Sequence, residues 1–189
     1  MKKTTLLILF VLSISFNIVA QEINWVTFEE AIELQKKEPR KIIMDAYTNW
    51  CGPCKILDKN TFHNTDLVAY VNENYYAVKF NAEGNSEIKF KDKIFTNPEY
   101  KPELANRRNS QHEFSRYLRI QGYPTIVFLD ENGDLLAPLV GYKTPQILEL
   151  FLKLFKNDDY KDLKNQEDFD SYAESFKSEF RDESVIVKN

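Results

Sequence analysis

Lys41-Ile42-Ile43-Met44-Asp45-Ala46-Tyr47, followed three residues later by Cys51-Gly52-Pro53-Cys54, is the stretch that decides how this chain folds. The first seven residues are short, β-branched and apolar, the signature of a buried strand, so the acid at Asp45 stands out within it. Gly52-Pro53 then opens a helix, because a proline is tolerated in a first turn whose amides have no intrahelical acceptor. That helix is expected to begin at Cys51 or Gly52 and run to about Thr61. Its positive dipole end faces the cysteines, which lie three positions apart, where one helical turn can close a disulfide. The chain has 2 cysteines in 189 residues, so it is not a disulfide-stapled scaffold, and the pair is free for a chemical role. On spacing alone, redox catalysis, metal binding and a structural bridge all remain open.

The N-terminus bears on that choice. Lys2 and Lys3 precede a mostly apolar run from Leu6 to Val19, and Ala20 is a small residue suited to a cleavage point. A secretory signal peptide over residues 1–20, cut after Ala20, is the expectation, and it puts the protein in the periplasm or outside the cell. The alternative is a retained anchor, but Ser13, Ser15 and Asn17 dilute a run already short of the roughly 20 apolar residues of a spanning helix. No stable membrane insertion is expected once the signal is removed. The net charge of −4, with both signs dispersed along the chain, offers no footprint for nucleic acid.

Outward from the cysteines, Thr27 and Glu30 form a capping box for an amphipathic helix that stops before Pro39. Asn64 or Thr65 caps a segment with Leu67, Val68 and Val71 on one face, and residues 75–80 read as a buried strand. Residues 83–109 lose all periodicity and read as a partly ordered insertion, because Ile88, Phe90, Ile94, Phe95 and Tyr100 argue against disorder. A helix over 110–120 follows. A hairpin then pairs 125–129 with 134–140 around Asp130-Glu131-Asn132-Gly133. Thr144 and Pro145 start a further helix. Beyond Asn157, Phe169, Tyr172, Ala173, Phe176 and Phe180 recur at helical spacing and predict a terminal helix that packs back on the domain.

These features together resemble the thioredoxin family. Strand, CGPC and helix match it, Asp45 lies six residues before Cys51 as the buried acid of thioredoxins does, Lys79 falls where a lysine sits near that acid, and Tyr123-Pro124 resembles the cis-proline segment. Gly133 and Gly141 match the two glycines of the last hairpin. The resemblance implies an α/β thioredoxin fold, a mixed central sheet flanked by helices, with an insertion before the cis-proline helix and an extra C-terminal helix. The domain layout it implies is a signal peptide at 1–20, a thioredoxin-like domain at 21–156 and a helical extension at 157–189. Residues around the cysteines are also similar to the thioredoxin-like domains of bacterial cell-envelope disulfide-exchange proteins.

The chemistry expected is thiol-disulfide exchange, probing protein or peptide disulfides, with an unidentified thiol as electron donor and no cofactor. A free thiol has a pKa of about 8.5, so the Cys51 thiolate needs the helix dipole and nearby amides to form. Cys51 is the expected nucleophile and Cys54, more buried, the resolving thiol. By resemblance Asp45 acts as a general base for Cys54, with Lys79 as its neighbour; a merely paired Asp45 and Lys79 is the plainer alternative. Trp50, Gly52, Pro53, Tyr123 and Pro124 are the expected substrate-binding residues. A zinc site made from the cysteines with His63 and His112 would lack the usual paired spacing. Gly-Pro between the cysteines points by resemblance to a reductase. A disulfide-forming oxidase, or a partner-binding module with a permanent structural disulfide, is the alternative.

Overall fold

The computed structural model describes residues 22–183; the expected signal peptide and its cleavage point lie outside them. Seven strands and six helices follow one another as β1 (Trp25–Val26), α1 (Phe28–Gln35), β2 (Lys41–Tyr47), α2 (Gly52–Asn60), α3 (Thr65–Asn74), β3 (Tyr75–Asn81), β4 (Ile88–Phe90), β5 (Lys93–Phe95), α4 (Glu113–Tyr117), β6 (Thr125–Leu129), β7 (Leu135–Val140), α5 (Pro145–Lys156) and α6 (Gln166–Ser175). Five strands form one mixed sheet in the order β1-β3-β2-β6-β7. β1 and β2 both run parallel to β3, while β6 is antiparallel to β2 and β7. This is the α/β thioredoxin fold.

Side chains of a strand alternate between faces, and this alternation builds two cores. Ile42, Met44 and Ala46 of β2 join Phe28, Phe80 and Phe114 on one face. Ile43 of the same strand joins Leu57 of α2, Val68 of α3 and Leu148 and Leu152 of α5 on the other. Asp45 has the parity of Ile43, so the acid belongs to the face covered by α2. Local signals set the helix starts. Thr27 and Glu30 close a reciprocal capping box, Asn64 caps α3, and Thr144 caps α5 with Pro145 in its first turn.

Three expectations about the elements need correction. First, the partly ordered insertion, read as lacking periodic elements, contains a hairpin: β4 and β5 pair around turn residues Lys91 and Asp92, which take left-handed φ values of 48° and 58°. The hairpin is held by burial, since Phe90 packs edge-on and Phe95 tilted against Phe114, with ring centroids 6.5 and 5.1 Å away. Second, α4 spans only Glu113–Tyr117, not 110–120. Asn97 and Asn109 side chains engage Ser110 in a non-helical turn, and His112 caps the helix. Third, the terminal helix stops at Ser175, and Phe180 reaches the same core from extended chain.

That extended chain is fastened by a buried acid. Glu149 of α5 accepts hydrogen bonds from the Ser178 hydroxyl and the amides of Glu179 and Phe180, and pairs with Lys153 at 2.8 Å. Burial opposes ionisation of Glu149, but the bonds from Lys153, Ser178 and the two amides outweigh it and hold its carboxyl below the ordinary range. Arg181 adds a bidentate pair to Asp66 near the start of α3.

Candidate functional site

The β2 strand delivers the chain into the turn Thr48-Asn49-Trp50, where the Cys51 amide bonds the Thr48 carbonyl at 3.1 Å. Cys51 is the N-cap of α2, and its sulfur accepts the Cys54 amide at 3.1 Å. The two cysteines form a disulfide, with Cα atoms 5.3 Å apart. The sulfur of Cys51 therefore occupies the position a capping oxygen usually takes, where orphan amides and the helix dipole favour negative charge. Gly52 and Pro53 are exposed between the two cysteines. Cys54 was expected to be the more buried of the pair. Instead the two are equally enclosed, at 2% exposure for Cys51 and 5% for Cys54.

Trp50, the residue before Cys51, is held by two neighbours. The Trp50 indole donates to Glu83 Oε2 at 2.7 Å, and the same oxygen accepts the Asn109 amide at 2.8 Å. Glu83, itself buried, thus ties the tryptophan to the far end of the insertion. Trp50 meets Tyr123 edge to face, with ring centroids 6.1 Å apart. Burial and the Glu83 carboxylate raise the Tyr123 phenol to about 12. The Tyr123-Pro124 peptide is cis, and the Pro124 carbonyl accepts the Gly141 amide at 2.8 Å. Through the Trp50–Tyr123 contact the CGPC turn and the proline segment are brought together.

On the other side of the turn a cleft of about 460 Å³ is lined by Asp45, Thr48, Cys54, Asp58, Lys79 and Asn106. Asp45 is only 3% exposed, and its Oδ1 has no hydrogen-bond partner among the described residues. Loss of hydration raises its carboxyl to about 7; the Lys79 charge opposes the rise and Asp58 adds to it. An acid so placed exchanges protons near neutral pH. Lys79 is the register neighbour of Asp45 across β2 and β3 but does not pair with it: its ammonium sits 2.5 Å from Asp58 Oδ1. Asp58 wins the cation because it stands on the half-open rim of the cleft, where an ion pair costs less hydration than it would beside Asp45.

Asp58, Glu83 and Asn106 are site residues that the sequence reading passed over. Asp58 carried a usable signal, since it is four residues after Cys54 and so on the same face of α2. Glu83 and Asn106 carried none, because only the path of the insertion brings them back. Among the described residues no three His, Cys, Asp or Glu side chains are grouped to hold a metal. His63 faces the Asp58 carbonyl at 2.7 Å, while His112 is buried against the Ser86 carbonyl.

The family model of the thioredoxin-like domain matches residues 28–156, from the first residue of α1 to the last of α5. The chain belongs to the thioredoxin-like domain family. Outside the match lie β1, α6 and the strap that Glu149 holds. The chain is 26% identical over 121 residues to the thiol:disulfide interchange protein DsbD of Actinobacillus pleuropneumoniae serotype 5b (strain L20). The match covers 60% of this chain and 17% of that much longer protein. Among solved structures, a thioredoxin-fold protein from Helicobacter pylori superposes with a TM-score of 0.56 at 21% identity, covering 72% of this chain and 81% of that one. A thioredoxin from Thermus thermophilus gives 0.51 at 15% identity, over 71% and 87%. Both share the thioredoxin-like fold. No helix among the described residues is long and apolar enough to cross a membrane.

Proposed function

We propose that the protein is a thiol-disulfide oxidoreductase that reduces or exchanges disulfides of protein or peptide substrates outside the cytoplasm. The observation that carries this reading is the disulfide at the α2 N-cap, with its second sulfur in the same cleft as a buried acid that titrates near 7. In the reduced protein the Cys51 thiolate, favoured by the Cys54 amide and the helix dipole, attacks one sulfur of a substrate disulfide. The substrate S–S bond breaks, a mixed disulfide forms through Cys51, and the other substrate sulfur leaves as a thiolate that takes a proton. Asp45, ionised in part at neutral pH, accepts the Cys54 proton directly or through water. The Cys54 thiolate then attacks Cys51 Sγ, closing the protein disulfide and releasing the second substrate thiol. Two electrons have passed to the substrate, and a dithiol donor must return them.

Trp50, Gly52, Pro53, Tyr123 and Pro124 supply the surface on which an extended substrate segment lies. Residues 21–156 are the redox domain in this reading, with 157–189 as an extension and 1–20 as the signal that takes the chain out of the cytoplasm. The likeness to a thiol:disulfide interchange protein supports exchange, and the Gly-Pro dipeptide supports the reductive direction. The deciding experiment is a Cys54→Ser variant, which stops the second attack. It should accumulate mixed disulfides through Cys51 that dithiothreitol releases, whereas absence of any trapped species with intact folding overturns the exchange mechanism. A redox titration sets the direction: a midpoint near about −270 mV fits a reductase, and one near about −120 mV refutes it.

A further inference from the structure

The insertion does more than hold Trp50 through Glu83 and Asn109: it sets a charge beside the proposed substrate surface. Glu83 fixes the Asn109 amide, and the preceding residue, Arg108, places its guanidinium carbon 5.1 Å from the centre of the Trp50 ring. Trp50 is the chain neighbour of Cys51. Arg108 is exposed, as are Arg107 beside it and Lys55 beside Cys54. Several cations of the chain pair with an acid, as in Lys41–Glu131, Lys79–Asp58 and Arg181–Asp66, and others do not. Among the described residues neither Arg107 nor Arg108 has such a partner, in a chain with more acids than bases. Glu99 shares a shallow pocket with Arg108 yet forms no ion pair with it. A guanidinium resting on an aromatic face keeps its in-plane N–H donors, the set that binds a carboxylate with two bonds.

We infer that Arg108, with Arg107, makes the protein selective for substrates carrying Asp or Glu within a residue or two of the disulfide. This rests on the exchange reaction proposed above. Trp50 adjoins Cys51 in the chain and an extended substrate advances about 3.3–3.6 Å per residue, so side chains one or two residues from the substrate cysteine are the ones that pass near Trp50. Opposite charge at that edge raises encounter rate and steadies the bound segment, and like charge does the reverse.

The test uses the full protein, reduced and freed of reductant, in single turnover with three disulfide peptides that differ only in flanking Glu, Ser or Lys. At low salt the Glu peptide should react about five- to tenfold faster than the Lys peptide, and about 1 M salt should erase most of that ratio. Arg108→Glu and Arg107→Glu should each lower the Glu-to-Lys ratio about threefold, while Arg108→Lys should keep most of it. Arg107→Glu guards against a trivial result, since among the described residues its guanidinium makes no contact with Trp50. Equal rates for all three peptides, or a ratio that neither charge reversal moves, overturn the selectivity and leave the exchange reaction standing. Failure to reduce any of the three, the Ser peptide included, overturns the exchange reading itself and this inference with it.

Discussion

Replacing Asp45 with asparagine keeps the shape of a buried side chain and removes its charge. In the unfolded chain the acid ionises at its ordinary value of 3.8, and in the folded protein, stripped of water, at about 7. The folded state therefore binds the proton more tightly. The stability Asp45 contributes is complete below 3.8, falls as pH rises, and is lost once pH passes about 7. At about 1.4 kcal/mol per pH unit, the interval costs the wild-type protein on the order of 4 kcal/mol. The Asp45→Asn variant never meets this cost. Urea unfolding of the oxidised protein, run from pH 4 to pH 8, should give two curves of stability against pH that nearly meet at the acid end. They should separate until the variant leads by about 4 kcal/mol, with the slope against urea unchanged. In the same variant the closing attack by Cys54 should slow by about a hundredfold at pH 7, the lower end of the range for a lost proton acceptor. Curves that run parallel across the whole range would show that the acid is hydrated in the folded protein, and the argument for Asp45 as a neutral-pH proton carrier would fail.

Asp58→Asn should free the Lys79 ammonium and remove a charge that raises Asp45; carboxyl titration followed by NMR should then place Asp45 below 7, with a stability loss under about 1 kcal/mol because the broken pair is half exposed. An unmoved Asp45 titration would mean that burial alone sets it. Glu149→Ala strands three donors and Lys153, and should cost about 3 kcal/mol while amide exchange at Glu179, Phe180 and Arg181 accelerates. Since the Glu149 carboxyl is held below its ordinary range, the strap should also loosen as pH falls below that range, and exchange rates that ignore pH there would contradict this. Gly133→Ala forces a side chain into a φ of +73° and sets its Cβ 2.8 Å from Phe90, so thermal unfolding should show a loss of about 1–3 kcal/mol; a neutral result would mean the β4–β5 hairpin yields easily.

What could be read from the sequence and what could not divides along chain separation. The starts of α1, α2, α3 and α5 were legible because each depends on residues within one turn: Thr27 with Glu30, Cys51 with Pro53, Asn64, and Thr144 with Pro145. The spacing of Asp45, Cys51 and Cys54 was legible for the same reason. Trp25–Val26 was missed because a two-residue strand has no periodicity, and it exists only through pairing with Ala77 and Val78. The β4–β5 hairpin was missed because its turn is Lys91-Asp92 rather than a glycine pair. Phe180 was assigned to a helix because its spacing fits one, although what holds it is Glu149, 31 residues away. The Lys79–Asp58 pair spans 21 residues and replaces the Lys79–Asp45 pair that stood as the plainer alternative in the resemblance.

Cys51 caps α2 with the same sulfur whose oxidation state changes. A thiolate accepts the Cys54 amide more strongly than a neutral disulfide sulfur does, so reduction and helix capping are two edges of one thermodynamic box. Whatever free energy the stronger cap adds to the reduced, ionised protein must reappear as an equal displacement of its midpoint potential, at about 30 mV for each 1.4 kcal/mol. On the proposed exchange reaction, the affinity of this protein for electrons is thus partly a property of the first turn of a helix, and a substitution there shifts the potential apart from any contact it makes with substrate.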